Sequence, residues 1–162
     1  MLSGPEQGGH ICALFVSPRG AITTGRVRSS ALQPAPQPTI TADEWTGSWK
    51  GTEQEIKIKR SGQQLSLVGT ATWGAFDPAR VARGGVNVGD FTAMVPFGGA
   101  ELAFTDSQSS TLPYAEGDPG SCRLRLSRRG PYLVVTDNQQ CGGQNVTFTG
   151  VYRHTPAKPK PK

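Results

Sequence analysis

The chain has 162 residues, which allows one ordinary domain with tails. Its 32 Leu, Ile, Val and Phe residues, about a fifth of the total, predict a thin core. No apolar run approaches the roughly 18 residues of a membrane-spanning helix, and three Cys with two His do not supply zinc-ligand spacing. The net charge of +5 lies mostly outside the central region: residues 45–154 carry 11 Lys/Arg against 9 Asp/Glu, residues 1–44 balance at three of each, and the closing eight residues add three lysines. A basic nucleic-acid face is therefore not expected.

Residues 1–44 lack steady periodicity and predict a disordered N-terminal region, with a proline-rich linker over Ala31–Thr39 that favours extended geometry. Ile11–Val16 is shorter than the apolar core of a signal peptide, about 7–15 residues. The ordered domain is expected over 45–154, and 155–162 reads as a solvated Pro/Lys tail.

From Trp45 the pattern has period two with turn punctuation. Strands are predicted over 45–51, 55–60 (ended by Ser61-Gly62) and 64–73, where Leu65, Leu67, Gly69, Ala71 and Trp73 share a face. Residues 76–85 predict one helical turn before Gly84-Gly85. Further strands are expected over 86–93 and 100–105, followed by a long polar loop over 106–120 suited to binding. Three closing strands cover 122–126, 132–136 and 146–152. A hairpin pairing Leu126 with Leu133 places Cys122 opposite Asp137, so a bridge to Cys141 needs the corner at Gly142-Gly143 to fold back. About eight antiparallel strands predict an all-β fold, a small up-and-down barrel favoured over a sandwich because closure removes edges.

Cys122 and Cys141 share one folded segment. A bridge between them would close a loop of about 20 residues and contribute about 3 kcal/mol. The alternative is two reduced, partly buried thiols. With the bridge, Cys12 is left over and an oxidising compartment is implied.

Catalytic constellations are weak. His10 and His154 border the poorly patterned ends, so neither is a well-held base. Asp90, Glu101, Glu116 and Asp137 could pair as carboxylates, yet surface alternation explains them. Asp118, Asp137 and Asn138 lack calcium-loop spacing, and Asn145-Val146-Thr147 fits a glycosylation pattern that alternating threonines also explain. No enzyme activity, cofactor or metal is expected. Trp45, Trp49, Trp73, Phe148 and Tyr152 either line a ligand pocket or fill the core. Arg123, Arg125, Arg128, Arg129 and Tyr114 form the candidate partner surface.

Two resemblances bear on function. Gly47-Ser48-Trp49 resembles the Gly-x-Trp signature of lipocalins and related calycin barrels, although that family's later Thr-Asp-Tyr motif is absent and Val135-Thr136-Asp137-Asn138 only echoes it. The frame Trp-x-Gly-x-Trp (45–49), Gly-x-Ala-x-Trp (69–73) and Asp-Asn-x-x-Cys-Gly-Gly-x-Asn-Val-x-Phe-x-Gly-x-Tyr (137–152) is similar to a β domain of uncharacterised secreted or periplasmic proteobacterial proteins, some of which accompany modules named as lysozyme inhibitors. That resemblance implies export and brings no catalytic residues. The expectation is a non-catalytic binding module of the bacterial envelope, inhibitor-like, whose partner is another protein. The alternative is a lipocalin-like carrier of a small apolar ligand, and an enzyme comes third.

Overall fold

The computed structural model describes residues 2–17, 22–33, 39–107 and 110–155. The chain forms two compact units, 1–37 and 38–162.

The first unit corrects the expectation of N-terminal disorder. Strands β1 (Leu2–Gln7), β2 (His10–Val16) and β3 (Ile22–Arg28) make an antiparallel meander. Gly8 and Gly9, at φ +56° and +71°, form the two-residue turn that pairs Gln7 with His10. The β2–β3 ladder then runs unbroken from His10↔Arg28 to Val16↔Ile22. Of the unit's described side chains only Ala13 is buried, so no apolar alternation marks these strands in the sequence. The proline-rich stretch at 34–38 and the tail at 156–162 lie outside the described residues.

The second unit starts earlier than Trp45. Ile40 is buried in the core, and a short 3-10 turn over Asp43–Trp45 follows it. Glu44 accepts from both the amide and the hydroxyl of Thr41 (2.7 and 2.8 Å) and so fixes this turn.

Strands β4 (Gly47–Lys50), β5 (Gln54–Ser61) and β6 (Gln64–Trp73) form a meander. A five-residue helix α1 (Pro78–Ala82), capped by Asp77, leads into β7 (Asn87–Pro96). β8 (Glu101–Asp106), β9 (Thr111–Pro113), β10 (Cys122–Arg129), β11 (Tyr132–Asp137) and β12 (Gly150–Thr155) complete a nine-stranded antiparallel sheet. Its order is β7-β6-β5-β4-β12-β11-β10-β8-β9. The last strand pairs with the first, and the sheet is a nearly closed, barrel-like cylinder. The extra strand, β9, lies in the segment predicted as a loop.

The sheet's two edges, β7 and β9, meet without a backbone ladder. Side chains seal the seam: the Thr92 amide donates to Asp106 Oδ2 (3.1 Å) and the Met94 amide to Thr111 Oγ1 (2.9 Å). Edge amides that would otherwise invite another strand are thereby satisfied.

Period-two alternation carries apolar residues inward on every long strand: Ile56 and Ile58, Leu65 and Leu67, Phe91, Ala93 and Val95, Leu124 and Leu126 are all buried. Gly69 faces Phe91 on the neighbouring strand, and the Phe91 ring occupies the space a Cβ there would need. Phe91 in turn packs on Phe104 and Phe148, with ring centroids 5.6 and 4.8 Å apart. Trp45 and Trp49 close one end of the cylinder. Trp45 donates its indole N–H to the Gly99 carbonyl, and Trp49 donates to the Trp45 carbonyl, both at 2.8 Å.

Candidate binding clefts at the two ends of the barrel

The end opposite Trp45 and Trp49 is closed by the segment between β11 and β12. The strand predicted over 146–152 is replaced here by irregular backbone up to Thr149. Its organiser is Asp137, whose carboxylate accepts from Thr147 Oγ1 (2.9 Å), the Phe148 amide (2.7 Å) and Thr149 Oγ1 (2.8 Å). A carboxylate with three donors holds its segment as a hydrogen-bonded knot. Phe148 and Val146 are thus driven into the barrel end, and Tyr152 donates its hydroxyl to the Phe148 carbonyl (2.7 Å). Burial pushes the Tyr152 phenol far above its ordinary value.

The same corner carries the disulfide. Cys122 and Cys141 are bridged, with Cα atoms 4.5 Å apart and a sequence separation of 19. The hairpin register differs from the predicted one: Leu126 pairs with Val135, and Arg129 faces Tyr132 across a two-residue turn. Residue 139 therefore falls opposite Cys122, and the fold-back to Cys141 is two residues rather than four. Asn138 assists by accepting the Arg123 amide (3.0 Å) and donating to the Ser121 carbonyl (2.9 Å). Glycine is required where this corner crosses β7. Gly142 and Gly89 lie so close that a Cβ on either would strike the other's backbone, and the Gly143 amide donates to the Val88 carbonyl (3.0 Å).

The candidate arginine surface separates into three parts. Arg123 and Arg125 hold the 113–121 segment against β10: Arg123 Nη2 reaches the Gly117 and Asp118 carbonyls (3.5 Å each), and the Arg125 guanidinium stacks 4.1 Å from the Tyr114 ring centre. Arg129 pairs with Glu101, at 2.6 Å. Hydrogen bonds from Ser127 and Arg129 hold the Glu101 carboxyl below the usual range. Arg128 is not part of that surface. It shares the inward parity of Leu124 and Leu126 and is only 7% exposed.

Two clefts result. At the disulfide end, a cleft of about 550 Å³ opens between the start of β7, the end of β8 and the bridged corner. Asp90, Asp106 and Asp118 line it with Thr92, Ser107, Ser121 and Gln140, and no Lys or Arg is among its described lining residues. Among the described residues, no group of three or more His, Cys, Asp and Glu is placed to hold a metal ion.

At the tryptophan end, a cleft of about 420 Å³ is lined by Glu44, Trp49, Arg128, Tyr132, Arg153 and His154, with Asp43 and Thr46 at its side. The Arg128 guanidinium lies 4.4 Å from the Trp49 ring centre and donates through Nη1 to the Gly130 (2.6 Å) and Tyr132 (3.0 Å) carbonyls. Burial lowers the Arg128 pKa from its ordinary value, and the Glu44 charge partly opposes this. His154 packs tilted against Trp49, with ring centroids 4.7 Å apart, and its Nε2 lies 3.0 Å from the Thr46 carbonyl.

The aromatic candidates divide likewise. Trp45, Trp49, Phe148 and Tyr152 are fully buried core residues. Trp73 is half-buried at the disulfide end and carries the Arg80 guanidinium 3.9 Å from its ring centre. The structure thus scatters the predicted partner residues, and it brings together two sets that sequence reasoning missed, the three aspartates and the Arg128 cleft. Strand parity was the available signal for Arg128. The aspartates come from three separate segments and carry no local signal.

No family model, curated protein or solved structure matches the chain.

Proposed function

We propose that the 38–162 unit is a non-catalytic, inhibitor-like binding module of the bacterial envelope that takes a basic segment of a partner protein into the cleft at its disulfide end. The observation that carries this reading is the placement of Asp90, Asp106 and Asp118 around one cleft of a chain whose net charge is +5. The walls of that cleft are rigid, because the bridge, the Asp137 knot and the Gly89–Gly142 contact all converge on it.

The disulfide is consistent with an oxidising, extracytoplasmic compartment. A periplasmic or secreted location is the finer form of that reading, supported by the resemblance to exported proteobacterial domains. The filled interior supports surface binding over carriage of an apolar ligand, since the large aromatic side chains occupy the volume a carrier would keep open. The engaged states of Asp137 and His154 support a binding role over catalysis.

Deleting the 107–119 segment is a poor test, because it removes the Thr111 seal on β7. Charge neutralisation leaves the backbone intact. Selection of a random displayed-peptide library on the immobilised protein should enrich Lys- or Arg-bearing peptides. The Asp90→Asn/Asp118→Asn variant should bind them about tenfold more weakly in low salt. Enrichment of acidic or wholly apolar peptides, or equal binding by the variant, would contradict the proposal.

A further inference from the structure

The tryptophan-end cleft holds a charge that lacks its counter-ion. Arg128 is 93% buried by its 7% exposure, and a charged side chain so buried is normally paired with an opposite charge. None of the five ion pairs among the described residues includes Arg128. Its Nε is sealed from solvent and has no hydrogen-bond partner. Two carbonyls and the Trp49 ring face are what it has instead. Glu44 acts on it electrostatically, but that carboxylate is committed to the Thr41 amide and hydroxyl, and Asp43 is paired with Arg60 at 3.1 Å.

We propose that the cleft is a binding site for a small carboxylate, which completes the charge pairing of Arg128. The ligand's oxygens would meet the Arg128 guanidinium on the Trp49 side of the cleft, with the Arg153 guanidinium as a second cation along the lining. The volume, about 420 Å³, lies within the range of small-molecule sites. Glu44 competes with such a ligand for the field of Arg128. The site therefore carries a signature that a purely structural arginine does not: removing the Glu44 charge should strengthen binding. This site is at the opposite end from the acidic cleft and stands independently of the protein-binding reading.

The test is an NMR titration of the ¹⁵N-labelled protein in a low-salt, carboxylate-free buffer. The Trp49 indole N–H and the Arg128 Nε–H are the reporters. The probes are acetate, trialanine with a free C-terminus and trialanine amide. Acetate and the free-acid peptide should displace both signals saturably, and the amide should not. A response to both acids identifies a general carboxylate site, whereas a response to the free-acid peptide alone identifies a polypeptide terminus as the source. Glu44→Gln should bind about fivefold more tightly and Arg153→Gln about fivefold more weakly. Arg128→Lys, if circular dichroism shows it folded, should lose the response. No saturable displacement by either acid, or unchanged affinity in both the Glu44→Gln and Arg153→Gln proteins, would overturn the proposal.

Discussion

Asp137→Ala is expected to destabilise the second unit by about 3–4 kcal/mol in urea unfolding, the largest effect of any single polar substitution in this protein. Three donors converge on one carboxylate, from Thr147, Phe148 and Thr149, and the Asp137 amide itself donates to Thr149 Oγ1 (3.0 Å). Each bond to a charged acceptor contributes about 1.5–3 kcal/mol when measured alone, and the three overlap rather than add. The cost has a second source. The Phe148 amide would be left without an acceptor beside a fully buried ring. Asp137→Asn keeps one acceptor oxygen and should fall between wild type and alanine. An unfolding midpoint for Asp137→Ala within error of wild type would mean that the knot does not hold the barrel end.

The second large effect is expected from Cys122→Ser/Cys141→Ser. A bridge spanning 19 residues stabilises by about 3 kcal/mol in the chain-entropy model. Against a total stability of about 5–15 kcal/mol for a domain of this size, that loss is substantial but not fatal. The corner keeps its other ties: Asn138 to Ser121 and Arg123, Gly143 to Val88, and the Asn87 side chain to the Gln144 carbonyl (2.6 Å). The variant should therefore fold, with a lower midpoint and with faster amide exchange confined to 121–123 and 138–146. Faster exchange spread evenly over β4–β7 would show that the bridge supports the whole cylinder rather than its end.

Much of the barrel was legible because its cause is local. Alternation over β5, β6, β7 and β10 follows from one buried and one wet face, and the resulting inward rows are those observed. The small residue at Gly69 was readable as a place where a bulky ring packs across, and Phe91 fills it. Arg128 was just as readable in principle. It sits two and four residues from Leu126 and Leu124, so parity alone places it inside, but four clustered arginines suggested one solvated face.

What was not legible depends on contacts between distant residues. The N-terminal meander buries only Ala13 among its described side chains, and a sheet without a buried face leaves no periodic trace. The 144–149 segment alternates like a strand because Val146 and Phe148 point inward. Its Phe148 amide, however, is satisfied by Asp137 rather than by a neighbouring strand. Likewise, β7 and β9 are joined by Asp106 and Thr111 side chains, a seam that no propensity scale encodes. The acidic cleft has the same origin, since its aspartates come from β7, β8 and the loop before β10.

The claim that unites these features is that a Cys122–Cys141 staple in an oxidising compartment holds the binding end of the barrel in shape. Peptide mapping by mass spectrometry of the protein from its native host, alkylated before any reduction, tests this most directly. The expected result is a linked pair of peptides carrying Cys122 and Cys141, with neither thiol alkylated. Full alkylation of both residues would contradict the account.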